Sequence, residues 1–203
     1  MPAVESFTVT PLDATFGARI EGVRLATIGD DAFARLYRTW LDYGLLVFPG
    51  QHLTQDEQVA FARRFGALEI EITPISNVRR DGTVRADVDS DDVVKVLKGN
   101  MGWHCDSTYM PVQAKGAVFT AHVVPPEGGE TGFVDMRAAY DALSPEMKAR
   151  IAHLSAYHSL HYSQAKVGHE HKEGSAYSGY GFQVKDPPLR PLVKIPPETG
   201  RPA

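Results

Sequence analysis

The chain of 203 residues has one cysteine, Cys105, and no apolar run long enough to cross a membrane. One cysteine excludes an internal disulfide framework and is typical of a reducing compartment. Positive charge is scarce, since 21 Lys and Arg stand against 25 Asp and Glu, so the basic footprint of a nucleic-acid binder is missing. The N-terminus also lacks the basic and apolar stretches of a signal peptide. We therefore expect a cytoplasmic protein that binds neither nucleic acid nor a membrane.

The remaining composition is that of an ordinary globular protein. Hydrophobic residues make up 43% of the chain and charged residues 23%. The length suits one domain with a sizeable core, and neither an internal repeat nor a linker divides it. The sequence therefore predicts a single domain over residues 1–203.

Local patterns predict short strands and several helices. Alternation and β-branching favour strands, helical spacing and capping signals favour helices, and Gly and Pro mark the turns. The predicted strands are 6–12, 17–23, 45–48, 93–97, 117–124, 131–135 and 192–195. The predicted helices run from Asp30 or Asp31 to Tyr43, from Thr54 through Phe65, from Met136 to Leu143 and from Ser144-Pro145 to about Leu154. Residues 162–188 are predicted to be a long loop, and 197–200 a turn.

The run Trp103-His104-Cys105-Asp106 holds the most informative chemistry. A His and an Asp two apart on an extended segment point the same way, and together they offer a nitrogen and an oxygen to one metal ion. That is two-thirds of the facial triad that binds non-haem Fe(II). The pattern alone is a weak signal, because a surface His and Asp that share a hydrogen bond would look the same. Strands with loops at their ends favour a jelly-roll barrel whose mouth can hold a metal.

Two longer runs carry a family resemblance. They are Gly99-Asn100-Met-Gly-Trp-His104-Cys-Asp106-Ser-Thr-Tyr and Pro125-Pro-Glu-Gly-Gly-Glu-Thr131-Gly-Phe-Val-Asp-Met-Arg-Ala-Ala-Tyr-Asp-Ala-Leu143. With the run from Arg190 to Arg201, they resemble the taurine dioxygenase/2,4-dichlorophenoxyacetate dioxygenase family over essentially the whole chain. The resemblance implies an α+β fold, a double-stranded β-helix (jelly-roll, cupin-like) barrel with flanking helices.

The resemblance also implies the activity and its residues. Such enzymes use Fe(II), 2-oxoglutarate and O2 to hydroxylate a small anionic substrate, here aryloxyalkanoate-like or alkylsulfonate-like, and they release succinate and CO2. His104 and Asp106 would bind iron, Thr131 would hydrogen-bond a carboxylate of 2-oxoglutarate, and Asn100 would contact the substrate. A strand threonine that packs by its methyl group and an asparagine that caps a turn are the plainer alternatives. Lys98, Arg79 and Arg80 are candidates to meet the substrate anion.

One departure from the family pattern bears on activity. The family's second iron-binding His and its 2-oxoglutarate-clamping Arg follow the Glu198-Thr-Gly-Arg201 turn, and they match no position in this chain. We therefore expect a barrel that is incomplete at its C-terminus and a domain that lacks its C-terminal portion, with activity in doubt.

Other histidines give weaker candidates for a ligand. The candidates are His122, His153, His158, His161, His169 and His171. Their positions on a strand, on helices or in a loop explain these histidines more simply than metal binding does. The cluster at 169–173 could alternatively act as a lid. An inactive truncated family member and a zinc-dependent hydrolase that uses the same His/Asp pair remain alternatives. Homo-oligomers are usual in the family.

Overall fold

The computed structural model describes residues 6–86, 91–166, 168, 181, 184 and 186–203. The strands in these residues are β1 (Thr8–Pro11), β2 (Ala18–Glu21), β3 (Leu46–Val47), β4 (Ser155–Tyr157) and β5 (Leu189–Pro191). The helices are α1 (Asp30–Tyr43), α2 (Gln55–Arg63), α3 (Asp92–Gly99), α4 (Met136–Asp141), α5 (Pro145–Ile151) and α6 (Leu160–Lys166). None of the helices described is both long and apolar enough to cross a bilayer.

The described residues form two compact units. The first unit contains residues 6–72, 117–153 and 193–203, and the second contains the described parts of 73–116 and 154–192. Neither unit is one continuous stretch of chain, so no single cut in the sequence separates them.

The first unit is built on a small mixed sheet. Strand β1 pairs antiparallel with β2, and β2 pairs parallel with β3. In β2 the side chains of Ala18 and Ile20 are fully buried while Arg19 and Glu21 are exposed, which is the two-residue period of a half-buried strand. Leu36 of α1 is also fully buried in this core. The predicted strands in this region and the helix that ends at Gly44 are confirmed, although β3 is short.

Helix α2 begins with the predicted capping box. The hydroxyl of Thr54 accepts from the backbone N–H of Glu57, and the Glu57 carboxylate accepts from the backbone N–H of Thr54 at 2.8 Å. These two bonds satisfy donors that a helix start otherwise leaves unpaired. The helix predicted to run through Phe65 ends at Arg63. Phe65, just beyond this end, makes edge-to-face aromatic contacts with α1, with ring centroids 5.0 Å apart for Phe33 and Phe65 and 5.4 Å apart for Trp40 and Phe65.

The prediction of a strand at 93–97 is wrong, since these residues lie in α3. The Asp91 carboxylate accepts from the backbone N–H groups of Val93 and Val94, and this cap starts the helix. Within the helix, Val94 and Val96 are both buried, although residues two apart lie on different sides of a helix. The cap and this burial together outweigh the β-propensity of a valine-rich run.

The predicted barrel is also absent from the described residues. Segments 117–124 and 131–135 form no strand ladder, and apolar side chains along them are exposed, Phe119 by 59% and Val123 by 86%. An extended segment becomes a strand only when a neighbour pairs with its backbone, and the described chain supplies none here. The side-chain pattern predicted strands here, but such a pattern does not show whether a pairing partner exists.

The C-terminal predictions are shifted or shortened. Helix α5 begins after Ser144, whose hydroxyl accepts from the Met147 backbone N–H as predicted, but the helix ends at Ile151. Helix α6 occupies the start of the predicted loop at 162–188, and β5 lies just before the predicted strand at 192–195. The turn at 197–200 is confirmed by a hydrogen bond from Gly200 N–H to the Pro196 carbonyl.

The second unit contains α3, α6 and an antiparallel pair of strands. Ala156 of β4 lies opposite Arg190 of β5. The pairing extends at both ends, because His158 N–H bonds to the Pro188 carbonyl and Leu192 N–H to the Leu154 carbonyl. This pair of strands supports a side chain that reaches the candidate site.

The charge on Asp91 gives a pH-dependent prediction. Burial raises the pKa of this carboxyl, but hydrogen bonds from Arg85 and from the amides of Val94 and Val93 outweigh burial and hold the pKa below its usual range. A depressed folded pKa gives stability that is present above the unfolded pKa of about 3.9 and is lost as pH falls through the folded value. Asp91→Asn keeps the cap and removes the charge, so its melting temperature should lie below wild type at pH 7 and converge with it near pH 3.

Thermal unfolding followed by circular dichroism at pH 7, 5 and 3 measures this difference. Asp13→Asn, at an exposed position in the first unit, is the matched control and should melt like wild type throughout. A difference in melting temperature between Asp91→Asn and wild type that stays constant with pH would contradict an electrostatic origin of the stabilisation by Asp91.

Candidate metal site

The ring of His104 is oriented by the backbone before it. Its Nδ1 lies 2.7 Å from the carbonyl oxygen of Gly102. A carbonyl oxygen only accepts hydrogen bonds, so Nδ1 carries the proton and donates. In the neutral ring, Nε2 is then left with its lone pair, which is the form that binds metals.

The carboxylate of Asp106 faces that lone pair. Asp106 Oδ1 lies 3.2 Å from His104 Nε2, and both side chains are open to solvent. Two electron-pair donors at this separation need a shared proton or a metal cation between them. At metal–ligand bond lengths of about 2.1 Å, two ligand atoms on one ion lie about 3.0 Å apart at right angles and about 3.4 Å apart at the tetrahedral angle. The pair therefore fits two adjacent positions on one divalent metal ion.

A tight turn follows the carboxylate. Ser107 is buried and has a φ of 57°, in the left-handed region that favours glycine. The Met110 N–H donates to the Ser107 carbonyl at 3.0 Å, and the Gln113 amide donates to the Asp106 carbonyl at 3.4 Å. His104 thus lies on an irregular segment and Asp106 opens a turn, so the two converge without belonging to a strand.

Sequence reasoning missed the residue that holds this turn. Arg190, on β5, donates to the backbone carbonyls of Thr108, Met110 and Pro111. The Arg190-Pro run belongs to the family resemblance, but nothing in the local sequence says what an arginine 80 residues away contacts.

Asn100 lies at the C-terminal end of α3, four residues before His104. Its backbone N–H bonds to the Val96 and Leu97 carbonyls and ends the helix, while its side chain is exposed. The two alternatives for Asn100 are a substrate contact and a cap on a turn. The position of its backbone matches the cap. Substrate contact by its side chain stays a prediction.

Thr131 belongs to the first unit, whereas His104, Asp106 and Asn100 belong to the second. It is exposed and follows Gly128 and Gly129, whose φ angles of 72° and 77° make the bend before it. Its predicted bond to 2-oxoglutarate stays a prediction.

The other candidate cations and histidines differ in their surroundings. Arg79 is paired with Asp91 at 3.4 Å, which leaves it partly neutralised, and Lys98 and Arg80 are exposed. His122, expected at a core or rim position, is exposed. His153 is exposed as expected, just beyond the end of α5.

The described residues supply two candidate metal ligands at this site and no third. No group of three His, Cys, Asp or Glu side chains within the described ranges could hold a metal ion. The cluster at 169–173, predicted to be a loop with a lid as the alternative, lies outside the described residues.

Comparison with known proteins identifies the family. Residues 8–203 match the family model described as "Taurine catabolism dioxygenase TauD, TfdA family". An (S)-phenoxypropionate/alpha-ketoglutarate-dioxygenase of Sphingobium herbicidovorans is 63% identical, over 97% of this chain and 69% of the relative. An alpha-ketoglutarate-dependent 2,4-dichlorophenoxyacetate dioxygenase of Cupriavidus pinatubonensis is 35% identical, over 97% of this chain and 71% of the relative.

A solved structure is also similar. The crystal structure of AAD-2 in complex with Mn(II) and N-oxalylglycine aligns with a TM-score of 0.87 and 33% identity, over 98% of this chain and 70% of that chain. The resemblance predicted from the two motif runs is thereby confirmed. The chain belongs to the TauD/TfdA family of dioxygenases.

Proposed function

We propose that this chain is an Fe(II)- and 2-oxoglutarate-dependent dioxygenase that hydroxylates a small aryloxyalkanoate. The observation that carries the proposal is the approach of His104 Nε2 to Asp106 Oδ1 at 3.2 Å, in a chain of this family. An imidazole nitrogen and a carboxylate oxygen are the mixed ligands of non-haem iron oxygenases.

His104 and Asp106 would hold the iron, which when bound supplies the activation of O2. The hydrogen bond from His104 Nδ1 to the Gly102 carbonyl keeps Nε2 available to the metal and fixes the plane of the ring. Two ligands that are already 3.2 Å apart lose little freedom when the metal binds.

Thr131 would bind the cosubstrate. A threonine hydroxyl can donate to a carboxylate oxygen of 2-oxoglutarate, and a hydrogen bond to a charged group is worth about 1.5–3 kcal/mol. The positive φ of Gly128 and Gly129 turns the chain just before this residue.

The relatives' names support an aryloxyalkanoate over an alkylsulfonate. One relative is named for (S)-phenoxypropionate and another for 2,4-dichlorophenoxyacetate. One O2 would place one oxygen atom on the substrate carbon that bears the ether oxygen and the other on succinate, with CO2 lost from 2-oxoglutarate. The hydroxylated phenoxypropionate is a hemiketal, whose C–O bond breaks to give phenol and pyruvate. Asn100 is the proposed substrate contact.

The proposal extends to fold and setting. The TM-score of 0.87 to AAD-2 supports the jelly-roll topology of the family for this chain. A single domain over residues 1–203, a cytoplasmic location and assembly into a homo-oligomer also remain proposals. The zinc-hydrolase alternative is disfavoured, because the named relatives depend on alpha-ketoglutarate, which hydrolysis does not consume.

Metal affinity tests the His/Asp pair. His104→Ala or Asp106→Ala should each weaken Co(II) binding by more than about 100-fold, beyond the 10–100-fold cost of outer-shell changes, because each removes a direct ligand. Anaerobic titration followed by the visible absorption of Co(II) measures the affinity. Cys105→Ser lies between the two and should bind Co(II) like wild type; loss in Cys105→Ser with retention in His104→Ala would instead indicate a thiolate site.

Product stoichiometry tests the reaction. Turnover of (S)-2-phenoxypropionate with Fe(II), 2-oxoglutarate and O2 should release phenol and succinate in equal amounts, and both should vanish in His104→Ala. Phenol released without succinate would contradict an oxygenase. The expectation of weak activity for these 203 residues stays a prediction, which the same assay decides.

Thr131→Val tests cosubstrate binding, because valine keeps the shape and removes the hydroxyl. Loss of one hydrogen bond to a carboxylate should weaken 2-oxoglutarate binding about 10–100-fold. Anaerobic titration of the Co(II) protein with 2-oxoglutarate measures this effect. Thr10→Val, at an exposed position in β1, is the control and should leave the affinity unchanged; equal binding by Thr131→Val and wild type would rule out the predicted role.

A further inference from the structure

Arg190 joins the strand pair of the second unit to the turn that carries Asp106. Its backbone lies in β5, opposite Ala156 of β4. Its Nε donates to the Thr108 carbonyl at 3.2 Å, and its Nη2 donates to the Pro111 carbonyl at 3.2 Å and also to the Met110 carbonyl. One half-buried side chain therefore donates to three backbone carbonyls within four consecutive residues.

The three carbonyl oxygens converge and would repel one another without a donor between them. A guanidinium can donate to all three carbonyls because it is planar, is always charged and presents its donors in a fixed fork. Lysine has its donors on one nitrogen and cannot reproduce the fork. The contacts thus constrain the shape of the turn more tightly than a single hydrogen bond would.

The turn needs this constraint because it contains a disfavoured backbone conformation. Ser107, directly after Asp106, has a φ of 57°, and such residues persist only where their surroundings hold them. Arg190 holds the chain from the next residue, Thr108, onward. A relaxed turn would rotate the Asp106 backbone and move its carboxylate away from His104 Nε2.

We propose that Arg190 is a positioning residue of the metal site. From its place in the β4–β5 strand pair, Arg190 holds the turn after Asp106 and so sets the distance between His104 and Asp106. This inference rests on the proposed role of that pair as metal ligands. Arg190 acts through the turn, and two of its three guanidinium nitrogens are occupied by backbone carbonyls.

The test measures Co(II) affinity by the titration used for the ligand variants. Arg190→Ala should weaken Co(II) binding about 10-fold or more, within the range known for outer-shell partners. The Co(II) affinity of Arg190→Lys should lie between those of Arg190→Ala and wild type. If the alanine variant does not fold, the lysine variant provides the test. On the His104→Ala background, Arg190→Ala should cause no further loss of Co(II) affinity.

A matched arginine separates positioning from general stability. Arg64, in the first unit, likewise donates to a backbone carbonyl, that of Ile28, and to Asp30. Arg64→Ala should lower the melting temperature while leaving Co(II) affinity unchanged. A loss of affinity in Arg64→Ala that matches its loss of stability would reduce Arg190 to a structural role.

Two further results would be decisive. Wild-type affinity in both Arg190 variants, with loss in His104→Ala, would overturn the positioning role and leave the metal site standing. Unchanged affinity in His104→Ala would overturn the metal site, and the positioning role with it.

Discussion

Two electron-pair donors, the Nε2 of His104 and the carboxylate of Asp106, are held 3.2 Å apart on one short segment. Such an approach is favourable when a proton or a cation lies between the atoms. The Gly102 carbonyl orients the ring on one side, and the turn after Asp106 holds the backbone that carries the carboxylate on the other. The proposed metal chemistry depends on this proximity.

The two units are stabilised by different interactions. The first has a cluster of ten buried apolar side chains drawn from the sheet, α1, α2 and their connections. In the second, the buried hydrophobic residues among those described are Val94 and Val96, and polar contacts are prominent, from Arg85 to the nearby Asp91 and from Arg190 to three carbonyls far away in the chain. Hydrogen bonds are directional whereas hydrophobic burial is not, so the second unit is suited to place individual atoms.

Family membership gives this geometry its meaning. A surface His and Asp at the same distance would be an ordinary ion pair, worth little in water. The match over residues 8–203 and the relatives named as alpha-ketoglutarate-dependent dioxygenases make a metal site the stronger interpretation. The distance between the two side chains fits both an ion pair and a metal site, and the comparison of sequences favours the metal site.

The sequence by itself determined the features that depend on nearby residues: the capping box of Thr54 and Glu57, the helix that ends at Gly44, and the His-x-Asp spacing. Each is settled within a few residues, where propensity and hydrogen bonding act. Tertiary structure alone decided that 117–124 has no strand partner in the described chain and that Arg190 reaches the turn after Asp106. These outcomes depend on burial and on contacts between residues far apart in the chain, which no local pattern records.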